Sequence, residues 1–322
     1  MKIQVIMSSE IDNLFPNLPF YGLTDYALMK EIETTKNYKL SLMQENGFDK
    51  IVKQNKFLNS MNNPDALLCS YYDVDEFIKL KIQGSDCLNI FSLNISSLPK
   101  HAAKLTCYLY ALETTFDVIV IIEIVKNNLS SMENLFKGFT FYYDPPSTNA
   151  KGGVGIYMSN RLGKVTRKSD LEYIKTCDCA TCEIESVCIT FNCYNKQFTI
   201  LGIYRHPSGN KNHFNKDLEK CIKQFERKDT SIVIGDTNLD LMRFDTNKAH
   251  TDYANMLFSN GYLPYITYPT RITPHTATLI DHIFIKSSSM EYEIISGIFY
   301  ANISDHLPNF ASLKWIKKTQ TT

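Results

Sequence analysis

The sequence has no surplus of either charge: 34 lysines and arginines stand against 34 aspartates and glutamates. No global field draws the chain toward a polyanion, so an anionic partner must be held by a local patch. Nor is there an apolar run of the roughly 20 residues that a bilayer-spanning helix requires. The most apolar stretch, Val118 to Ile122, is cut off by Glu123 and reads as a buried strand. Met1 to Met7 lacks the charged start, apolar middle and small-residue cleavage site of a secretory signal. These absences place the protein inside the cell, with no membrane association and no obligate protein partner in view. What is present, 44% hydrophobic and 12% aromatic residues, excludes full disorder and suffices for one large core with or without an appendage.

Nine cysteines include the cluster Cys177, Cys179, Cys182, Cys188 and Cys193. The spacing invites a zinc reading, but no histidine lies near enough in sequence to complete a familiar ligand pattern. Thr190 to Tyr204 alternates and is rich in β-branched and aromatic residues, which makes these cysteines small hydrophobes on or between paired strands. An intracellular address argues against disulfides.

Residues 1–85 carry scattered apolar groups and no site chemistry, and are expected to form an N-terminal extension, partly ordered or irregular. Residues 86–317 form the main domain and 318–322 a tail. Within the domain, Leu88 to Leu93 and Asp117 to Val125 read as strands. Between them Pro99 opens a helix that puts Ala102, Leu105, Leu109 and Leu112 on one face. Strands follow at Phe139 to Tyr143, Val154 to Met158, Glu183 to Phe191 and Phe198 to Arg205. A helix over Asn212 to Arg227 carries Phe214, Leu218, Cys221, Ile222 and Phe225 on its apolar face. Ser231 to Ile234 is a core strand, Thr251 to Asn260 a helix closed by Gly261, and the last strands are Leu279 to Ile285, Glu293 to Phe299 and Asn309 to Ile316. Strands outnumber helices and often adjoin, which favours two packed sheets with helices outside over one parallel sheet.

The polar groups that suggest chemistry follow strands. Glu123, at the end of an apolar run, is either a carboxylate reaching water or the main ligand of a Mg²⁺ ion, with Asn94 lending its carbonyl oxygen and Asp305 supporting. Asp236 and Asn238 form either an ordinary turn or a pair in which Asp236 orients or deprotonates a water and Asn238 donates to a phosphate. Asp281 is placed to hold one ring nitrogen of His306, fixing its tautomer and leaving the other for a phosphate oxygen or a water. His282 points to the opposite face and packs. Tyr204 ends a strand as core or as a donor to phosphate, and Arg205 offers positive charge to substrate. Arg161, Lys164, Arg167 and Lys168 form a solvated loop or a phosphate contact, and Thr278 is a candidate substrate contact. Together these groups supply the services that cutting a phosphodiester needs: a cation, a positioned water and donors for developing charge.

Several short motifs occur in a fixed order: Ser92-Leu93-Asn94-Ile95, Phe116-Asp117-Val118-Ile119 leading to Glu123, Gly152-Gly153-Val154-Gly155-Ile156-Tyr157, and Ile203-Tyr204-Arg205-His206-Pro207. They continue with Gly235-Asp236-Thr237-Asn238, Pro269-Thr270-Arg271-Ile272-Thr273, Leu279-Ile280-Asp281-His282-Ile283 and Ser304-Asp305-His306-Leu307-Pro308. From Leu88 to about Trp315 the chain thereby resembles the endonuclease/exonuclease/phosphatase superfamily, most of all the endonuclease domain of non-LTR (LINE-type) retrotransposons. Tyr71 to Phe77 is similar to a segment upstream of that domain. The resemblance implies an α/β fold, a four-layer α/β sandwich of two packed mixed sheets flanked by helices. It also implies hydrolysis dependent on Mg²⁺, with Mn²⁺ as a substitute, and nicking of DNA, in the nucleus if the target is chromosomal. A phosphoesterase for a nucleotide or lipid and an impaired remnant that only binds nucleic acid are the alternatives. The chain departs from the family at Ile122 and Ile124, where polar neighbours of the glutamate are usual, at Thr237, where an aromatic is common, and at Ser96, an aspartate in some members. It stops soon after Trp315 with no reverse transcriptase behind it, which reads as a truncated copy.

Overall fold

The computed structural model describes residues 25–45, 69–82, 86–126, 129–146, 152–163, 165–167, 184–225, 229–287 and 292–316. A helix α1 (Asp25–Glu45) precedes a short strand β1 (Cys69–Tyr72) and a short helix α2 (Val74–Ile78), whose cap Asp73 and third residue Glu76 satisfy each other's backbone N–H groups. Next come β2 (Cys87–Asn94), α3 (Leu98–Ala111), β3 (Val118–Ile122), α4 (Leu129–Met132), β4 (Phe139–Asp144), β5 (Val154–Ser159) and β6 (Val165–Arg167). The hairpin β7 (Ile184–Cys193) and β8 (Lys196–Arg205) turns at Tyr194 and Asn195, both at positive φ, as a two-residue hairpin loop demands. Then follow α5 (Lys211–Lys223), β9 (Thr230–Asp236), α6 (Lys248–Ser259), β10 (Leu263–Pro264), β11 (Arg271–Ile272), β12 (Ala277–Thr278), β13 (Asp281–Ser287), β14 (Tyr292–Phe299) and β15 (Asn309–Trp315).

The strands form a seven-stranded sheet, β1-β14-β15-β2-β3-β5-β4, a six-stranded sheet, β10-β13-β9-β8-β7-β6, and the small hairpin β11-β12. Both large sheets are mixed: β2 and β3 run parallel, as do β8 and β9, while their other neighbours are antiparallel except that β1 runs parallel to β14. Val118, Val120 and Ile122 face the second sheet and pack with Ile200, Ile232 and Ile283. Ile119 and Ile121, one step out of phase, face α3 and meet Leu98, Leu105 and Leu109. A strand buried on both faces reads as a continuous apolar run, which is why β3 shows no alternation. The faces expected of α3 and α5 are the buried ones. The layers are therefore helix, sheet, sheet, helix. No described helix is long and apolar enough to cross a membrane.

Part of the expected N-terminal extension joins the main sheet. β1 pairs in register with β14, and Phe77 of α2 is fully buried against Phe116, Phe299 and Phe310. The segment looked like a loose arm because its partner strand lies near the other end of the chain. Further upstream, Glu31 of α1 accepts from Lys104 at 2.8 Å and Asn302 at 3.0 Å. Cys188, buried, and Cys193, half-buried, lie on β7. Cys177, Cys179 and Cys182 lie outside the described residues, as do Lys164, Lys168 and the tail.

Candidate active site

One rim gathers the ends of β2, β3, β8 and β9 and the start of β13. Asn94, the last residue of β2 and 1% exposed, bridges the two sheets there: its Nδ2 donates to Glu123 Oε1 at 2.8 Å and to Asp236 Oδ2 at 2.9 Å. Its Oδ1 accepts from the Ser96 N–H at 3.0 Å. The amide turns its Nδ2 to the two carboxylates and its Oδ1 to Ser96, as neighbouring carboxylates that call for donors require.

Glu123 stands one residue beyond β3, which ends at Ile122 and not at Val125 as the apolar run suggested. The strand breaks because Glu123 and Val125 take φ of 57° and 55°, a left-handed conformation that persists only where the surroundings over-determine it. The Glu123 N–H donates to the Gly153 carbonyl at 2.9 Å and the Val125 N–H to that of Gly152 at 3.0 Å. Ile122 is buried in the core between the sheets and Ile124 in the core beneath α3. The two apolar flanks that set this chain apart thus clamp the glutamate backbone from both faces.

Asp236 closes β9 and pairs in register with Asp281, the first residue of β13. Asp236 Oδ1 accepts from the Asn238 N–H at 2.8 Å. Burial, and after it the nearby Asp281 carboxylate, push the Asp236 carboxyl up to about 7. Asp281 Oδ2 accepts from the Thr270 hydroxyl at 2.5 Å and lies 2.9 Å from Nδ1 of His306. Burial of that imidazole works against its charge. Asp281, with Asp236 and Asp305 beyond it, prevails and raises it to about 9, so it is protonated at neutral pH. Nδ1 is committed to Asp281, which leaves Nε2 for a substrate oxygen.

The donor atoms of Asp236, Asp281 and His306 all lie within 4.8 Å of one another. With Glu123 joined through Asn94, the rim holds three carboxylates and one imidazolium. A protonated ring does not ligate, so His306 serves as the counter-ion of Asp281, and the remaining oxygen donors are the kind that hard divalent cations select. A cation would offset the carboxylate repulsion that raises Asp236. The donor set therefore fits a hard divalent cation.

Tyr204, at the end of β8 and 4% exposed, lies within hydrogen-bonding reach of Glu123; burial, then that carboxylate, hold its phenol well above the usual range. Asn238 donates through Nδ2 to the Arg205 carbonyl at 2.8 Å. Asp305 is half exposed and forked by Arg271, with Nε at 2.9 Å and Nη2 at 2.7 Å. Burial opposes its charge, but His306 and then Arg271 hold its carboxyl below the ordinary value. Thr278 pairs with Arg271 on the β11-β12 hairpin, and Arg271 in turn bridges to His306, so Thr278 borders the same rim. His282 packs, as expected: its Nε2 lies 3.0 Å from the Leu279 carbonyl, and burial lowers it to about 4.

Two residues expected to contact substrate have partners within the fold. Arg205 is 1% exposed and turns inward, donating to the carbonyls of Thr237, Gly209 and Asn238 at 2.5, 2.8 and 3.0 Å. It braces the loop behind Asp236. Arg161 pairs with the buried Asp117 at the start of β3, the rim opposite Glu123, because β5 runs antiparallel to β3. Thr270 and Arg271 were legible only as a motif without roles. Glu185 and His206 were missed; the signal was an acid on a strand that otherwise buries its side chains.

A model of the Endonuclease/Exonuclease/phosphatase family matches residues 90–306. A search of curated proteins found no match. Among solved structures, the endonuclease domain of TRAS1, a telomere-specific non-LTR retrotransposon, is similar at TM-score 0.50 and 12% identity, covering 71% of this chain and 99% of that one. D. rerio TDP2 complexed with a single-strand DNA product reaches TM-score 0.53 at 14% identity, covering 71% and 99%. A 3'-5' exonuclease from Neisseria meningitidis reaches TM-score 0.54 at 14% identity, covering 71% and 100%.

Proposed function

The chain belongs to the endonuclease/exonuclease/phosphatase family, and on that premise we propose that it is a Mg²⁺-dependent phosphodiesterase that nicks DNA, of the kind retrotransposons use. The observation that carries the reading is the Asp281–His306 pair set against Asp236, with Asn94 tying Asp236 to Glu123 on the same rim. DNA as substrate draws support from the similar structures, a retrotransposon endonuclease and a protein bound to a DNA product.

Glu123 is the main residue to hold the cation, with Asp236 beside it and Asp305 at the edge of the site. When bound, Mg²⁺ neutralises charge on the scissile phosphate and lowers the pKa of a coordinated water. Asp236 orients the attacking water and accepts its proton. His306, held by Asp281, donates from Nε2 to a phosphate oxygen as negative charge develops there. Tyr204 stays a neutral phenol and adds a second donor. Asn238 spends one amide hydrogen on Arg205 and has the other for the phosphate.

The test is nicking of supercoiled plasmid with Mg²⁺ by the purified chain, beside Glu123→Ala and His306→Ala. Loss of about 10² to 10⁴ in rate is expected for His306→Ala. A wild type no faster than the variants sinks the reading. Hydrolysis of a soluble phosphodiester without DNA cleavage moves the activity to smaller substrates.

A further inference from the structure

Glu185 is the one acid on β7, is 2% exposed, and takes no part in the chemistry proposed above. It stands in register with Tyr204 on β8. Its Oε2 accepts from the N–H of Gly153, a residue of the other sheet's turn, and its Oε1 lies 3.4 Å from His206 Nε2. His206, 7% exposed, packs edge-on against the Tyr204 ring at 4.7 Å. The acid fills the space over Gly152, where an added Cβ would come 3.1 Å from Oε1 and closer to Oε2. Gly152 and Gly153 are at φ of 112° and 88°, which side-chain-bearing residues avoid.

The same two glycines carry, through their carbonyls, the N–H groups of Val125 and Glu123. A continuous path therefore runs from the second sheet to the backbone of the glutamate: His206, Glu185, the Gly152-Gly153 turn, Glu123. Tyr204 closes it from the side-chain end. Ile122 and Ile124 are both buried in cores, and neither side chain has a polar atom to offer Glu123.

We propose that Glu185, braced by His206, is the positioning residue for Glu123, holding from the second sheet the Gly152-Gly153 turn on which the glutamate backbone hangs. It sets the affinity for the divalent cation without touching it. This rests on the reading of Glu123 as a cation ligand. Groups that orient a metal ligand typically alter affinity about 10- to 100-fold when removed.

The experiment is Mn²⁺ titration followed by the EPR signal of the free ion, with near-UV circular dichroism in EDTA on each variant. Glu185→Ala is expected to weaken Mn²⁺ binding about 10- to 100-fold and Glu185→Gln less, since its amide oxygen still accepts from Gly153. Glu123→Ala abolishes the site. If both Glu185 variants bind as tightly as wild type while Glu123→Ala does not, the proposal falls and the cation site stands. If wild type binds no Mn²⁺, both fall. If the Glu185 variants lose the native spectrum in EDTA, Glu185 serves the fold alone and the proposal is overturned.

Discussion

Asp236 and Asp281 stand abreast on neighbouring antiparallel strands, both nearly fully buried, and only Asp281 has an imidazolium to itself. Two like charges in one dry site cannot both ionise freely. The imidazolium's hydrogen bonds go to Asp281, and Asp236 carries the upward shift.

Asp281→Asn removes the counter-ion of His306 and leaves the ring at a buried site with less reason to be charged. Its pKa falls from about 9 toward or below the ordinary 6.5. If the proton on Nε2 is the one that serves the phosphate, activity of the wild type declines as pH rises through about 9, and that of the variant declines earlier. A pH–rate profile of the two proteins reads this directly, with an expected loss of about 10² to 10⁴ at neutral pH.

Above about pH 6.5 stability without metal should fall with rising pH; below that, His250 and His282, whose rings burial lowers to about 4, act in the opposite direction. Asp236 and His306 both have folded pKa values above their unfolded ones, so each binds a proton in the folded state that the unfolded chain has released. The Asp236 contribution is full below 3.8 and is lost as pH rises through about 7. That of His306 is full below 6.5 and is lost through about 9. Thermal unfolding in EDTA from pH 6.5 to 9 checks the sign, and Asp236→Asn should flatten the lower part of that curve. Mg²⁺ should stabilise more at pH 8 than at pH 5.

Arg205→Lys retains the charge and loses the fork. A guanidinium serving three carbonyls is replaced by a compact ammonium on a different stem, and each buried carbonyl left unpaired costs about 1–3 kcal/mol. Denaturant unfolding should show the loss; DNA affinity of the folded fraction should not change, which separates a brace from a substrate contact.

Phe77→Ala should destabilise by about 3–5 kcal/mol, since the ring is fully buried among three other phenylalanines. A chain begun after residue 82 should be poorly soluble for the same reason, because it lacks both Phe77 and the strand that covers β14. Circular dichroism and urea titration of the two variants would decide it.

The fold was largely legible because β2, β3, β9 and the helices α3 and α5 declare themselves by apolar runs and by periodicity. Which way a strand-end side chain turns was not. Glu123 read as the tail of β3, because the left-handed turn that ends the strand falls on ordinary residues and not on a glycine. Arg205 follows Tyr204 directly, yet alternation sends one toward the rim and the other into the loop behind it. Arg161 was misplaced because strand order, unknown from sequence, decides which rim a strand's end reaches. Thr270, Glu185 and His206 escaped because their partners are distant in the chain, and a hydrogen bond leaves no local pattern.

The tie from Asn94 to Asp236 spans 142 positions, and that from the Ser304 hydroxyl to the Asn94 carbonyl spans 210. Contacts so far apart in sequence carry a large loop-closure cost and form late. A nascent chain emerging from the ribosome would hold no fragment of the site until His306 and the strand after it had been made. The assembled site would then appear only once β15 had been made, and a product terminated before Ser304 would lack its tie to Asn94.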